Sequence, residues 1–545
     1  MEKLGAELTG VESPQDSSES RSFEGSVTQY NHTKRHLKPR HIQLLGIGGT
    51  IGTVLFVGIG RGLINGGPGS LLISFIFWAS VVLAVTASLS EMISYLPISS
   101  PFITLAGRFV DDAFGVAVGF NFFLLEAFLV PFELTALNIV LHFWTTRIPV
   151  AVVVVVGLIL YTSINVFGVK YFGTTEFYLS MLKVLLVFGL TFYTLVTMCG
   201  GNPDHHAYGF ENWGKGGAFV EYYTTGDTGR FLGFLQTLIL ATVTVTGPEL
   251  VSMAAGEAEN PRKVMPRAYK AVFWRLSLFF ILGALCVGIV VPANSEALAN
   301  AYATSGSNAS SSPYVISMQS FGIPVLPHIV NAVLLTSAFS AGNGYFFAAT
   351  RTLYGLALRG KAPRIFAKTT KAGSPIYAVG AVLCIGTLAF MQVSNSSAKV
   401  FSWIVSLVTG GMLINYAANC YTYLRFRKAC MVQGLAREKL PYKGYFQPYA
   451  AYYGIFWNVL MMLLNGFGVF LKGNWDVPTF FFAYTMVGVF PCVFLFWKLF
   501  KRTKQIPSEQ VDLRSDVAEI EAYEASFVPV RSVFWLDRVL DRIFD

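Results

Sequence analysis

The stretch Leu44-Leu45-Gly46-Ile47-Gly48-Gly49-Thr50-Ile51-Gly52-Thr53-Val54 decides how the chain is read, because four glycines within seven residues interrupt the first long apolar run. A glycine costs a helix about 1 kcal/mol relative to alanine, so this density predicts unwound backbone. At membrane depth such backbone persists only where it is buried in protein or lines a cavity. A helix rises about 1.5 Å per residue, which puts Gly46 to Gly52 roughly 8–17 Å into the membrane if the span begins near His41. That is close to the midplane of a ~30 Å hydrocarbon core.

The composition outside this stretch agrees with a membrane setting. Of 545 residues, 53% are hydrophobic and 13% charged, too apolar for a soluble protein and too long for a simple anchor. The net charge of +9 reports topology rather than a nucleic-acid partner, since the basic residues fall in short segments between apolar runs. Six cysteines are scattered in no metal or disulfide spacing and are expected in the core. The first forty residues contain no apolar core of signal-peptide length, so the first span is expected to direct insertion.

Residues 1–40 are polar and expected to be a disordered cytoplasmic tail. Spans of about 20 apolar residues are expected near 42–62, 70–95, 114–144, 149–167, 172–199, 230–256, 270–292, 324–355, 376–394, 399–425, 449–471 and 479–500. The fold class is therefore all-α and polytopic, with about twelve transmembrane helices in a domain covering 41–503. Basic residues resist translocation. Arg262, Lys263, Arg267 and Lys270, the group from Arg359 to Lys371, and the group from Arg425 to Lys443 mark inner loops. Outer loops, where Arg61 and Arg147 fall, are sparse in bases, and both termini are expected in the cytoplasm. Asn308 and Asn395 head glycosylation tripeptides in outer loops. Residues 504–545 form a second tail, acidic and then amphipathic from Val533 to Phe544, suited to the membrane surface or to docking on the bundle.

The sixth span repeats the break of the first. Thr242-Val-Thr-Val245-Thr246-Gly247-Pro248-Glu249 places a residue without an N–H beside a glycine. Interrupted helices at matching positions of two halves are a mark of inverted-repeat transporters, here repeats of about 41–200 and 229–425 with extra helices at 449–500. Free amides and half-helix N-termini at such breaks suit a carboxylate, and free carbonyls suit an ammonium. The bland alternative for the glycines is close helix packing. Ionisable residues inside spans are functional candidates by default. Lys183 lies about 18 Å into span five and can carry a proton or stand in for a cation; Glu133 in span three can meet an ammonium or relay a proton. Glu249 and Glu126 are read as structural or gating residues. Ser340-Ala-Gly-Asn343 in span eight is a second soft polar stretch, either an ion or gating site or a packing notch. No catalytic motif, metal-ligand spacing or cofactor motif stands out, and an enzyme is not expected.

From about Lys38 to Lys498 the chain resembles the fungal amino acid permeases of the amino acid-polyamine-organocation superfamily. The motifs carrying this are RHLKPRHIQLLGIGGTIGT through span one, RFVDDAFG from Arg108, PFELTA around Glu133, GPELVSMAAGEAENPRK from Gly247, and SAGNGYFFAATRTLYGLALRGKAP from Ser340. The resemblance implies a LeuT-type five-plus-five fold and proton-coupled uptake at the plasma membrane. It implies that the Thr50-Ile51-Gly52-Thr53 region takes the substrate carboxylate, with Gly48 and Gly49 in the same substrate site, and that span six, through Val245, Thr246 and Gly247, takes the amino group together with span one. Lys183 and Glu133 match the family's residues for proton coupling. Val54, where a glycine is usual, Val245, where an aromatic is usual, Pro248, and Ser99-Ser100-Pro101-Phe102, where Ser-Gly-x-Phe is common, depart from the pattern. These departures point to atypical substrates, and the pattern resembles the divergent branch associated with carnitine and polyamine uptake. The alternative is a plasma-membrane nutrient sensor with little transport of its own. Expected partners are a small-molecule substrate (amino acid, carnitine or polyamine), protons, membrane lipid, and cytoplasmic regulators or trafficking adaptors at the tails, with no nucleic acid and no cofactor.

Overall fold

The computed structural model describes residues 38–39, 42–43, 52–167, 169–303, 312–370 and 373–527. The expected glycosylation site Asn308, the amphipathic terminal stretch 533–544 and most of residues 1–40 lie outside them. So does the first part of the decisive stretch, including Gly48, Gly49, Thr50 and Ile51. Every described element is helical, and the helices follow the expected order of twelve spans. Eight are long and apolar enough to cross a membrane by length and composition alone. The others fall short for stated reasons: spans one and six are broken, span eight carries the polar Ser340–Asn343 stretch, and span eleven, Tyr449–Leu464, is short.

Spans one and two are joined almost without a loop. A single helical run, Ile59–Tyr95, is kinked at Gly67 (φ 81°, ψ 170°), and Pro68 opens the second span. Only glycine fits there, because the backbone is left-handed and a Cβ would meet the Ala218 carbonyl oxygen at 2.6 Å. Arg61 is consequently not in an outer loop, as its position suggested, but within the helix of span one. There its guanidinium donates to Ser402 and lies 5.9 Å from the ring centroid of Tyr302, whose hydroxyl donates to the Val57 carbonyl.

Span three, Asp112–Leu141, is the central helix, with 78% of its most apolar window buried. Span twelve, Val477–Lys501, has 11% buried and presents Phe481, Phe496 and Leu499 outward, as a lipid-facing helix should. Span three packs along span eight, Leu326–Leu358, and the continuous helix of spans one and two along span six, with Gly62 and Gly66 against Thr237. Between spans two and three a short helix, Pro101–Phe109, is entered through Ser100, which is left-handed at φ 50°, ψ 59°. Three of the six cysteines are not in the core: Cys199, Cys384 and Cys492 are exposed, while Cys286, Cys420 and Cys430 are buried. In a bilayer an outward apolar position is as suitable for a thiol as an inward one, so apolar surroundings in sequence did not decide burial.

Candidate functional site

The two helix breaks meet span three. Span six is helical over Gly226–Thr244, turns out of helix at Val245 (φ −85°, ψ 84°), and resumes at Glu249. Helix termini leave amides and carbonyls unsatisfied, and here side chains supply the partners. The Gly247 N–H donates to both Glu249 carboxylate oxygens at 3.3 Å, Tyr416 Oη donates to Glu249 Oε2 at 2.9 Å, and Arg275 Nη2 donates to the Thr246 carbonyl at 2.9 Å. Arg275 is fully buried on span seven, immediately before a wide π-helical turn, Leu276–Ile281. Such turns are frequent at functional sites. Gly247 allows the break to lie against span two, since a Cβ there would meet Val82 Cγ1 at 2.6 Å.

Span one is extended at Gly52 (φ −96°, ψ 177°), tightens to a 3-10 turn at Thr53–Leu55 and becomes α-helical at Ile59. The Thr53 hydroxyl donates to Glu133 Oε2 at 2.6 Å. That hydroxyl, expected to meet the substrate, is thus committed to span three. Gly52 faces the other carboxylate oxygen: its Cβ direction points at Glu133 Oε1, 3.6 Å away, and at Tyr345 Oη, 3.8 Å away.

Between these elements lies a cavity of about 40 Å³, lined by Gly52 and Val54 of span one, Glu126 and Glu133 of span three, and Thr244, Thr246 and Glu249 of span six. Tyr345 of span eight and Asn415 and Tyr416 of span ten complete it. Three carboxylates therefore line one cavity, and among the described residues no lysine or arginine does. Its polar atoms are also incompletely paired. Glu126 Oε2, Glu133 Oε1 and both amide atoms of Asn415 are buried without a hydrogen-bond partner. Buried polar groups left unpaired cost about 1–3 kcal/mol each, which marks the cavity as built to receive polar partners.

The structure brings some of the expected residues together and separates others. Gly52 and Thr246 line the cavity; Val245 is fully buried in the apolar core and does not, and Gly247 and Pro248 form the break behind it. Glu249, expected in a gating or structural role, and Val54, the departure from the family pattern, are in the lining itself. Lys183 is buried at 1% exposure and is not in the lining; its Nζ is 3.6 Å from Glu176 Oε1, and Glu176 Oε2 accepts from Ser340 Oγ at 2.7 Å. Lys183 is near enough to Glu133 for their charges to interact. The polar stretch of span eight is therefore part of this group, and Gly342 within it lets Tyr161 approach, its hydroxyl 2.2 Å from where a Cβ would sit. Asn343 accepts from Asn165 at 2.9 Å. The amide of Asn395, the other expected glycosylation acceptor, donates to Met391 O and Ser394 Oγ.

Sequence reasoning passed over Glu176, Arg275, Tyr345, Asn415 and Tyr416. Arg275 carried a usable signal, because Val272-Phe-Trp-Arg275-Leu-Ser-Leu-Phe is an ionisable residue inside an apolar run, the rule that singled out Lys183. Glu176 lies only a few residues into its expected span, where an ionisable residue carries no comparable signal.

The comparisons with known proteins agree on one family. A family model described as "Amino acid permease" matches residues 41–508. The chain is 41% identical over 504 residues to the general amino acid permease AGP2 of Saccharomyces cerevisiae, covering 91% of this chain and 84% of that one. It is 38% identical over 529 residues to a proline-specific permease of Emericella nidulans, covering 96% of each. It is 36% identical over 501 residues to a basic amino-acid permease of Saccharomyces cerevisiae, covering 91% and 87%. Among solved structures, a mutant of the Eremococcus coleocola manganese transporter shares the fold at 14% identity and a TM-score of 0.50, covering 87% of this chain and 98% of that one.

Proposed function

The chain belongs to the amino acid permease family, and on that premise we propose that it is a proton-coupled plasma-membrane importer of amino acids or amino-acid-like cations, working by alternating access around the breaks in spans one and six. The observation that carries this reading is the central cavity, where two carboxylates and one amide present buried, unpaired atoms. An ammonium group satisfies Glu126 and Glu133 by charge-assisted hydrogen bonds. A substrate carboxylate finds the Asn415 amide and the unwound backbone of span one. Three carboxylates exceed what one ammonium needs, which favours basic, quaternary or polyamine substrates over neutral ones.

Protons enter through the same group. Glu133 holds Thr53 of the broken span and interacts with Lys183, which pairs with Glu176 beside Ser340. A change of protonation at Glu133 or Lys183 therefore alters what span one is held to. The distribution of basic residues supports a cytoplasmic side for both termini, where the tails would meet regulators and trafficking adaptors.

A second reading, a nutrient sensor that binds such a ligand with little transport, is favoured by Val54, whose branched side chain occupies part of the cavity wall. Uptake of labelled lysine, proline, carnitine and spermidine in cells lacking other permeases, with and without a proton uncoupler, separates the two. Accumulation abolished by the uncoupler is expected. Ligand binding without uncoupler-sensitive accumulation sinks the carrier reading and leaves the sensor.

A further inference from the structure

A second cavity is roomier than the central one. At the end of spans two and ten, a cavity of about 300 Å³ is walled by Phe426, Cys430, Leu435 and Leu440 and contains Arg427 and Arg437. The two arginines differ in what they are paired with. Arg437 is fully engaged: its Nε and Nη2 donate to Glu91 Oε1 and Oε2 at 3.1 and 2.8 Å, and its Nη2 also reaches the Gly444 carbonyl at 2.6 Å. Glu91 is in turn completed by the Gly444 N–H at 2.9 Å. That pair is neutral and closed. Arg427 is the other case: among the described residues no carboxylate pairs with it, its Nη1 is buried outside hydrogen-bonding geometry, and the group beside it is the neutral Tyr423 hydroxyl. Among the lining residues the charges are then one carboxylate against two guanidiniums. One positive charge is left over.

The surroundings say which kind of anion fits. The wall is apolar, and Met431 at its rim is 66% exposed. This is also the end of the bundle that carries Arg425, Lys428, Lys439 and Lys443, a basic collar of the kind attracted to anionic lipid surfaces. A guanidinium fork matches phosphate oxygens in pairs. We propose that this cavity binds a phosphate-bearing anion, with Arg427 taking the phosphate and the Phe426 and Leu440 wall taking an apolar portion, as an anionic phospholipid would supply. The site is independent of the transport reading, because none of its residues lines the central cavity.

The full chain in dodecyl maltoside micelles tests this by native mass spectrometry with phosphatidylinositol 4-phosphate, phosphatidylcholine and inorganic phosphate as separate probes. Phosphatidylinositol 4-phosphate is expected to bind, and Arg427→Gln to weaken it about tenfold or more, the effect of losing a hydrogen bond to a charged group. Ala436→Trp, at an exposed lining position, is expected to fill the cavity and weaken binding while leaving Arg427 in place; Lys428→Gln, on the collar, is expected to change it less than about threefold. Inorganic phosphate binding with the same Arg427 dependence makes the source a soluble phosphate and keeps the site. The proposal is overturned if Arg427→Gln and Ala436→Trp bind like the wild type, if phosphatidylcholine binds as tightly, or if no phosphate-bearing probe binds. Should Arg427→Gln fail to fold, Ala436→Trp decides.

Discussion

Glu126 shows what a single side chain adds to the site. It sits seven residues before Glu133 on span three, two helical turns away, so both carboxylates face the same cavity. Glu133 has a protein partner in Thr53; Glu126 Oε2 has none. If Glu126 serves the extra charge of a basic substrate, Glu126→Gln raises the KM for cationic substrates about tenfold and leaves zwitterionic ones within a few-fold. Competitive uptake assays read the ratio, and an equal loss for both classes would assign Glu126 to structure alone. Ser100 is a second informative residue. It holds a left-handed backbone at φ 50° with a side chain, where the family commonly has glycine, at a cost of about 1 kcal/mol. Ser100→Gly is expected to raise the thermal midpoint of the detergent-solubilised protein, and a lowered midpoint would mean that the hydroxyl compensates for the strain.

At the scale of elements, the spans were legible because apolar length is a strong signal, and the breaks because glycine and proline at membrane depth have few other uses. Span six breaks between Thr244 and Glu249, within the residues that the sequence singled out. Which side chains of a break face inward was not legible. The unwound turn has no helical period to project from, so Val245 was expected at the substrate and lies in the core, while Glu249 was expected in a structural or gating role and lines the cavity. Long-range pairs were equally hidden. Nothing near Lys183 in sequence announces that Glu176 links it to Ser340 of span eight. This link makes a prediction about spans five and eight together: Lys183→Met leaves Glu176 part-buried beside Ser340 without its cation, and uncoupler-sensitive accumulation is lost while ligand binding persists. Glu176→Gln should partly restore accumulation in that background, because it removes the unpaired charge. Intact proton-driven uptake in Lys183→Met would remove Lys183 from the coupling path.

At the scale of the whole molecule, the described part of the C-terminal segment is docked on the helices, where composition pointed to an acidic tail beginning near 504. The segment runs across several spans. The Ile506 N–H donates to Val110 O at 2.9 Å, Gln433 Nε2 donates to Ser508 O and Val511 O at 3.0 and 2.7 Å, and Tyr95 Oη donates to Leu513 O at 3.1 Å. Val511, Leu513 and Ile520 are buried, which gives the strap an apolar footing. Its electrostatic centre is Arg108, which donates to the carbonyls of Asp512 and Ser515 and pairs with the carboxylates of Asp512 at 3.0 Å and Asp516 at 2.6 Å. Arg262 at the start of span seven reaches Glu521 and Glu524. Burial opposes ionisation of Asp512, but hydrogen bonds from Ser515 and Arg514 and the charge of Arg108 outweigh it and hold the carboxyl below its usual range. A lowered carboxyl pKa contributes stability that is fully present above the unfolded value, about 3.9, and is lost as pH falls through the folded value. Docking should therefore be unchanged between pH 5 and 8 and fail only in strong acid, so that mild acidification does not release the strap. Removal of its charge partner should. Arg108→Ala is expected to make the full-length protein about tenfold more susceptible to trypsin at Arg514, the loss expected for charge-assisted contacts at a mostly buried arginine. Cleavage at the wild-type rate would mean that the apolar footing of Val511, Leu513 and Ile520 holds the segment without the ion pairs.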